Sequence, residues 1–272
     1  MRHTIIALLL AAAAPAALHA APTPKDQLLV PPADAKHFVV VSTAGKHGDE
    51  YVWATPDGRL AFRQSILLRG LIFETDETIR FGPDGMPSEL EVRGVTPSGD
   101  AAETFRITAG DASWTSPVDK GHTDYSAPAF YLAQGGPFTA YAAQVDRLLA
   151  AGRAGMALLP SGKAELEKIA ELEIDGAEGK KRVALQLLRG TSQTPQPVWT
   201  EGDKFFGALV GLAILPAGYE QNLEAMQKAQ DSAIAALAPA IAKKFVTAEA
   251  RMPVLFDHVR IYDADKERFV ED

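Results

Sequence analysis

Histidine is the side chain best suited to bind a metal or move a proton near neutral pH, and this chain holds six: His3, His19, His37, His47, His122 and His258. None pairs as H-x-H or H-E-x-x-H, the spacings that bring two imidazoles onto one ion. His122-Thr123-Asp124 comes nearest, because residues two apart on a strand point to the same side. A polar surface strand after the Gly121 turn explains that triplet equally well. His122 and Asp124 are therefore the nearest approach to a metal site. No metal, cofactor or catalytic residue is assigned.

Other chemistries are no better served. The chain lacks the G-x-S-x-G elbow of serine hydrolases and the G-x-G-x-x-G of dinucleotide sites. Ser161-Gly162-Lys163 lacks the first glycine and the following Ser or Thr of a phosphate loop. Acids are plentiful, but Glu89, Glu91, Glu165, Glu167, Glu171 and Glu173 alternate with apolar residues and read as solvated strand faces. Glu103, between strands, is the acid to watch. Trp53, Trp114, Tyr131 and Trp199 are candidates to line an apolar ligand pocket, although aromatics at strand positions commonly fill a core.

The elements that must position these residues are mostly strands. Composition is globular, with 47% hydrophobic and 23% charged residues. The formal charge of −8 and the lack of any Lys/Arg cluster argue against a nucleic-acid partner. Absence of cysteine excludes disulfides, thiol nucleophiles and thiolate metal sites. Residues 1–20 carry Arg2, an uncharged apolar run from Ile5 to Ala14 and small residues up to Ala20. That is the anatomy of a secretory signal peptide and too short to span a bilayer, which takes ~20 apolar residues. No later stretch is a transmembrane segment, so a periplasmic or secreted product is expected.

Residues 21–36, rich in Pro, Ala and charge, read as a linker. From His37, short β-branched and aromatic runs alternate with turns such as Pro56-Asp57-Gly58 and Pro97-Ser98-Gly99-Asp100, the pattern of an antiparallel meander. Apolar residues at helical spacing between Pro137 and Gly152 predict a helix. Leu166 to Ile174 permits strand or helix; the turns that follow favour strand. A long helix is expected from about Ala217 to Ala238, kinked or ended by Pro239. Pro253 to Tyr262 and Glu267 onward read as a terminal hairpin. The expected fold is α+β: a mostly antiparallel curved sheet or open half-barrel wrapped on a helix, covering residues 37–245. A long C-terminal helix and a strand pair at 253–272 follow.

The tail Val254-Leu255-Phe256-Asp257-His258-Val259-Arg260-Ile261-Tyr262-Asp263 resembles the first sandwich strand of the amidohydrolase superfamily. Glu91 to Asp100, Ala157 to Gly162 and Pro197-Val198-Trp199 are similar to pieces of the N-terminal extension of secreted, imidazolonepropionase-like members. This resemblance implies a metal-dependent C–N hydrolase whose (β/α)8 barrel would follow the tail, and such a barrel needs roughly 200 residues or more. The family's metal ligands cannot be placed on this chain. The expectation is thus a truncated, non-catalytic N-terminal portion, inactive alone, with a downstream amidohydrolase domain as partner. The rival from another class is a carrier for a lipid or other apolar ligand. A third expectation is a docking module using an apolar patch on the Tyr219–Ile241 helix.

Overall fold

Apolar residues at every second position force extended backbone wherever one sheet face must be buried, and the computed structural model follows that rule through most of its length. It describes residues 22–152, 155–177, 179–245, 253 and 255–270, so the expected signal peptide lies outside the described residues. Contacts divide the chain into two units, Met1–Gln230 and Asp231–Asp272. Half of the described residues are in strands.

In the first unit, β1 (Lys36–Ser42), β2 (Gly45–Ala54), β3 (Leu60–Leu68), β4 (Leu71–Phe81) and β5 (Pro87–Thr96) form a meander. The short β6 (Gly99–Asp100), β7 (Glu103–Thr108), β8 (Asp111–Thr115), β9 (Lys120–Asp124) and β10 (Ala129–Tyr131) continue it. A single-turn 3-10 helix at Phe138–Ala140 leads into α1 (Tyr141–Ala150). Then come β11 (Met156–Leu159), β12 (Lys163–Gly176), β13 (Gly179–Arg189), β14 (Gln196–Glu201), β15 (Lys204–Val210) and β16 (Leu212–Pro216). The ambiguous stretch from Leu166 to Ile174 is strand, inside β12.

These sixteen strands make one sheet in the order β10-β11-β12-β13-β14-β15-β16-β1-β2-β3-β4-β5-β7-β8-β9, with β6 paired to β5. β10 and β11 are parallel. The join between the two halves is β1 against β16, with Val39 opposite Leu215. The sheet is not closed. Its ends nonetheless approach each other, since Tyr131 of the edge strand β10 stacks on Phe105 of β7 with ring centroids 4.3 Å apart.

One face packs on α1, where Val145 and Leu148 meet Phe38, Phe62, Ile79 and Leu90 in the main core. The Asp146 carboxylate accepts from the Phe205 amide at 2.7 Å and fixes α1 to β15. On β13 to β15 the opposite face buries Leu185, Trp199 and Leu209 together with Met226. Here the Trp199 indole donates to Gln230 at 3.2 Å, and Gln230 donates to the Leu209 carbonyl at 2.8 Å.

Three sequence expectations are revised. Residues 22–35 are anchored to the sheet: Leu28 is buried, the Leu29 amide donates to Asp76 at 2.6 Å, and Lys25 contacts Glu74 at 2.5 Å. Paired polar groups on β4 give this Pro-rich segment a docking line that composition cannot reveal. The second helix, α2 (Leu223–Phe245), begins later than expected and runs through Pro239. Ala235, whose carbonyl loses its partner there, is exposed, so water can satisfy it. In the second unit, β17 (Ile261–Asp263) and β18 (Arg268–Val270) form a two-stranded sheet of their own. The described residues from Pro253 to Arg260 are not strand; they are mostly exposed, and an extended segment holds its shape only when another strand pairs with it. Among the described residues, no helix is long and apolar enough to cross a membrane.

Candidate functional site

Strand register places a patch of polar side chains on the core-facing side of the meander. Glu50 on β2 lies opposite Gln64 on β3, and Gln64 opposite Thr75 on β4. One row over, Phe62 lies opposite Glu77, Glu77 opposite Val92, and Val92 opposite Glu103. Glu77 shares parity with Ile79, and Gln64 with Phe62 and Ile66, so these polar groups point where the core is. All are buried.

Their partners come from the end of β10 and the segment between it and α1. Glu103 accepts the Tyr131 hydroxyl at 2.7 Å, the Gln134 amide at 2.9 Å and the Gly135 amide at 3.3 Å. Gln64 accepts the Phe138 amide at 3.1 Å, and Glu50 accepts the Thr139 amide at 2.7 Å. The first amides of a helix have no intrahelical partner. Here no side chain of the segment itself caps the turn at Phe138–Ala140; strands across the core supply the acceptors.

Glu77 is treated differently. Its Oε2 is buried and has no hydrogen-bond partner among the described residues, as is also true of Glu50 Oε1 and both amide atoms of Gln144. A Cβ at Gly136 would collide with Glu77 Oε2, so glycine at 136 lets the carboxyl lie flat against the backbone. Burial pushes the Glu77 carboxyl up to about 8, helped by the neighbouring Glu103 charge. Burial likewise pushes Glu50 up to about 7 against hydrogen bonds from Thr139 and Phe138 that favour the ionised form. A carboxyl of this kind holds its proton near neutral pH and donates a hydrogen bond; ionised, it demands a cation.

The segment Gln134–Phe138 is also a partition. On one side is an apolar cavity of about 250 Å³ walled by Leu188, Val198, Leu212, Ile214, Phe138 and Tyr141. Val210 at its rim is 50% exposed. A smaller cavity of about 140 Å³ contains Glu77, Tyr131 and Gly136, and shares Phe138 and Tyr141 with the first. A third, of about 470 Å³, runs between Gln64, Glu103, Phe73 and the Thr96–Ser98 turn.

The candidate aromatics are dispersed. Tyr131 lines the small cavity, and Trp114 packs beside it at 6.2 Å with its indole donating to Asp119 at 3.0 Å. Trp199 is fully buried on the α2 side of the sheet, and Trp53 is half-buried on β2 opposite Ala61. His122 is 78% exposed, with Nδ1 3.2 Å from Asp111, and Asp124 pairs in register with Asp111. Among the described residues, no group of three or more His, Asp or Glu is arranged to hold a metal ion. Glu103 is held by three donors. Glu50, Gln64 and Glu77 went unrecognised in the sequence. The available signal was parity, since Phe73, Thr75, Glu77, Ile79 and Phe81 occupy every second position of β4.

Fold and site together define a mostly β protein with an acid-bearing interior beside an apolar cavity. Set against known proteins, the chain finds no counterpart: no protein family, curated protein or solved structure matches it.

Proposed function

We propose that this protein is a binding module for an apolar ligand, acting in the periplasm or after secretion, with its sheet serving as an open half-barrel wrapped on α1. The observation that carries the reading is the 250 Å³ cavity, whose walls are apolar apart from Gln196 and whose rim includes the exposed Val210. Pockets of this size and lining suit a hydrocarbon chain or small ring system. The export reading rests on the pattern of residues 1–20. Titration with N-phenylnaphthylamine, followed by its fluorescence, tests the proposal. Micromolar binding that weakens at least tenfold in Ala208→Phe, which fills the cavity from its β15 wall, with unchanged circular dichroism, is the expected result. A probe that does not bind, or that binds both proteins equally, overturns it.

A second reading is favoured by one observation in the second unit. The β17–β18 hairpin keeps Ile261, Tyr262, Phe269 and Val270 exposed, as an unfinished sandwich edge would. Together with the resemblance of Val254 to Asp263, this supports a non-catalytic N-terminal portion of an amidohydrolase-like protein whose downstream domain covers the hairpin. On this reading the purified chain has no amide-hydrolysing activity. An in-frame continuation of the gene encoding H-x-H supports it, whereas stoichiometric zinc with chelator-sensitive turnover in this chain alone refutes it.

A further inference from the structure

We propose that the small cavity at Glu77 is a head-group subsite for a primary ammonium, so that the preferred ligand is an alkylamine-like amphiphile with its chain in the neighbouring apolar cavity. The chain half of this proposal rests on the apolar-ligand reading above; the head half stands on its own geometry. Phe138 and Tyr141 line both cavities, so the two are neighbours across these rings, and the proposed ligand bends round them. A volume of about 140 Å³ accommodates an ammonium and a few methylenes, given that one water occupies roughly 30 Å³ of liquid.

The chemistry of the walls selects the head. Glu77 lines this cavity, and its Oε2 is buried with no hydrogen-bond partner among the described residues. Buried carboxylates are ordinarily paired with a cation or amply hydrogen-bonded. The charge felt by Glu77 is that of another acid, Glu103. The Glu103 oxygens already accept from Tyr131, Gln134 and Gly135. Glu103 therefore supplies field, and Glu77 supplies the free acceptor. An ammonium offers the donor and the positive charge that both lack. A carboxylate head would add a third negative charge, and a hydroxyl would bring no countercharge. The proton that Glu77 holds near neutral pH leaves when an ammonium takes its place, so binding at pH 7 should release protons to buffer.

The test uses the full chain, wild type and Glu77→Gln, and two matched pairs of probes. Butylammonium and butanol report on the head site without needing the apolar cavity; dodecanol reports on the apolar cavity without needing the head site. Isothermal titration with dodecylammonium and dodecanol below their aggregation limits is expected to give at least tenfold tighter binding of the amine. In Glu77→Gln the amine should fall to the level of the alcohol. Butylammonium, and not butanol, should raise the melting temperature of the wild type only. Equal affinity for amine and alcohol, or amine binding untouched by Glu77→Gln, overturns the head site and leaves the apolar reading standing. Butylammonium stabilisation without dodecanol binding leaves the head site standing and removes the apolar reading. No response to any probe overturns both.

Discussion

Within β4, Glu74 and Asp76 face one way, Thr75 and Glu77 the other, and the two faces handle buried acids by opposite means. On the outer face every acid meets a cation. Arg63 and Lys25 each reach Glu74 at 2.5 Å, Ser65 donates to it at 2.5 Å, and Arg93 clasps Asp76 at 3.0 and 2.5 Å. Burial alone would raise the Glu74 carboxyl, but hydrogen bonds from Lys25, Ser65 and Arg63 hold it below its usual range. On the inner face, Glu50 and Glu103 meet backbone amides, Glu77 Oε2 meets no partner among the described residues, and burial raises the Glu50 and Glu77 carboxyls. One strand thus carries an acid, Glu74, that favours the fold when ionised and another, Glu77, that favours it when protonated. Structural acids are saturated with partners; an acid left wanting is available to something that binds.

The largest consequence is a stability profile with two limbs of different origin. Glu77 and Glu50 have folded values raised to about 8 and about 7 from 4.5. The folded state therefore binds their protons more tightly than the unfolded chain does. Their contribution is fully present below about pH 4.5 and is lost as pH rises through 7 and 8, at about 1.4 kcal/mol per pH unit for each group inside its window. Glu74 works in reverse: its contribution is present above 4.5 and is lost as pH falls through its lowered value. Urea unfolding between pH 3 and 9 should show both limbs. Glu50→Gln/Glu77→Gln should flatten the alkaline limb and spare the acid one. A variant profile that still falls steeply from pH 6 to 9 would show that the inner acids are not its source.

Breaking the outer face should cost next most. Arg63→Met leaves the buried Glu74 with only Lys25 and Ser65 as partners among the described residues, so the loss should approach but not reach the ~3–5 kcal/mol of a buried charge left wholly unpaired. Adding Glu74→Gln should restore part of that loss, because the incompletely paired charge goes with it. Inner-face Glu77→Gln, by contrast, should be neutral or stabilising at pH 8. Equal losses from Arg63→Met and Glu77→Gln would erase the distinction between the faces.

The meander was legible because its alternation is local: Leu90 and Val92 against Glu89 and Glu91 announce which side is wet. α1 was legible from Pro137 and Gly152 at its ends. The inner acids were not, because their fate depends on distant backbone. Glu50 follows another acid, Asp49, and nothing local sets it apart, yet its partner is an amide 89 residues away. Glu103 drew notice only by its place between strands. Anchoring of residues 22–35 by Asp76 and Glu74 is likewise invisible without knowing that β4 buries both faces. Aromatics could not be sorted for the converse reason: bulk alone does not tell Tyr131, which lines the small cavity, from Trp199, which is buried on the α2 side of the sheet.

The smallest predicted effect probes the inner face at its tightest point. Gly136 does not adopt the left-handed backbone that penalises other residues, so alanine there suffers only the collision with Glu77 Oε2. Gly136→Ala should cost about 1–2 kcal/mol, the range of modest overpacking. In a Glu77→Ala background the obstacle is gone, and the same substitution should be neutral or slightly favourable, because alanine restricts the unfolded chain by about 0.4–1 kcal/mol. The coupling read from this double-mutant cycle by urea unfolding measures how firmly the Gln134–Phe138 segment holds the carboxyl in place. A firm hold makes the acceptor rigid, as a selective head-group site requires. A coupling near zero would mean that Glu77 swings aside freely, and the contrast between a saturated outer face and a poised inner one would then be only apparent.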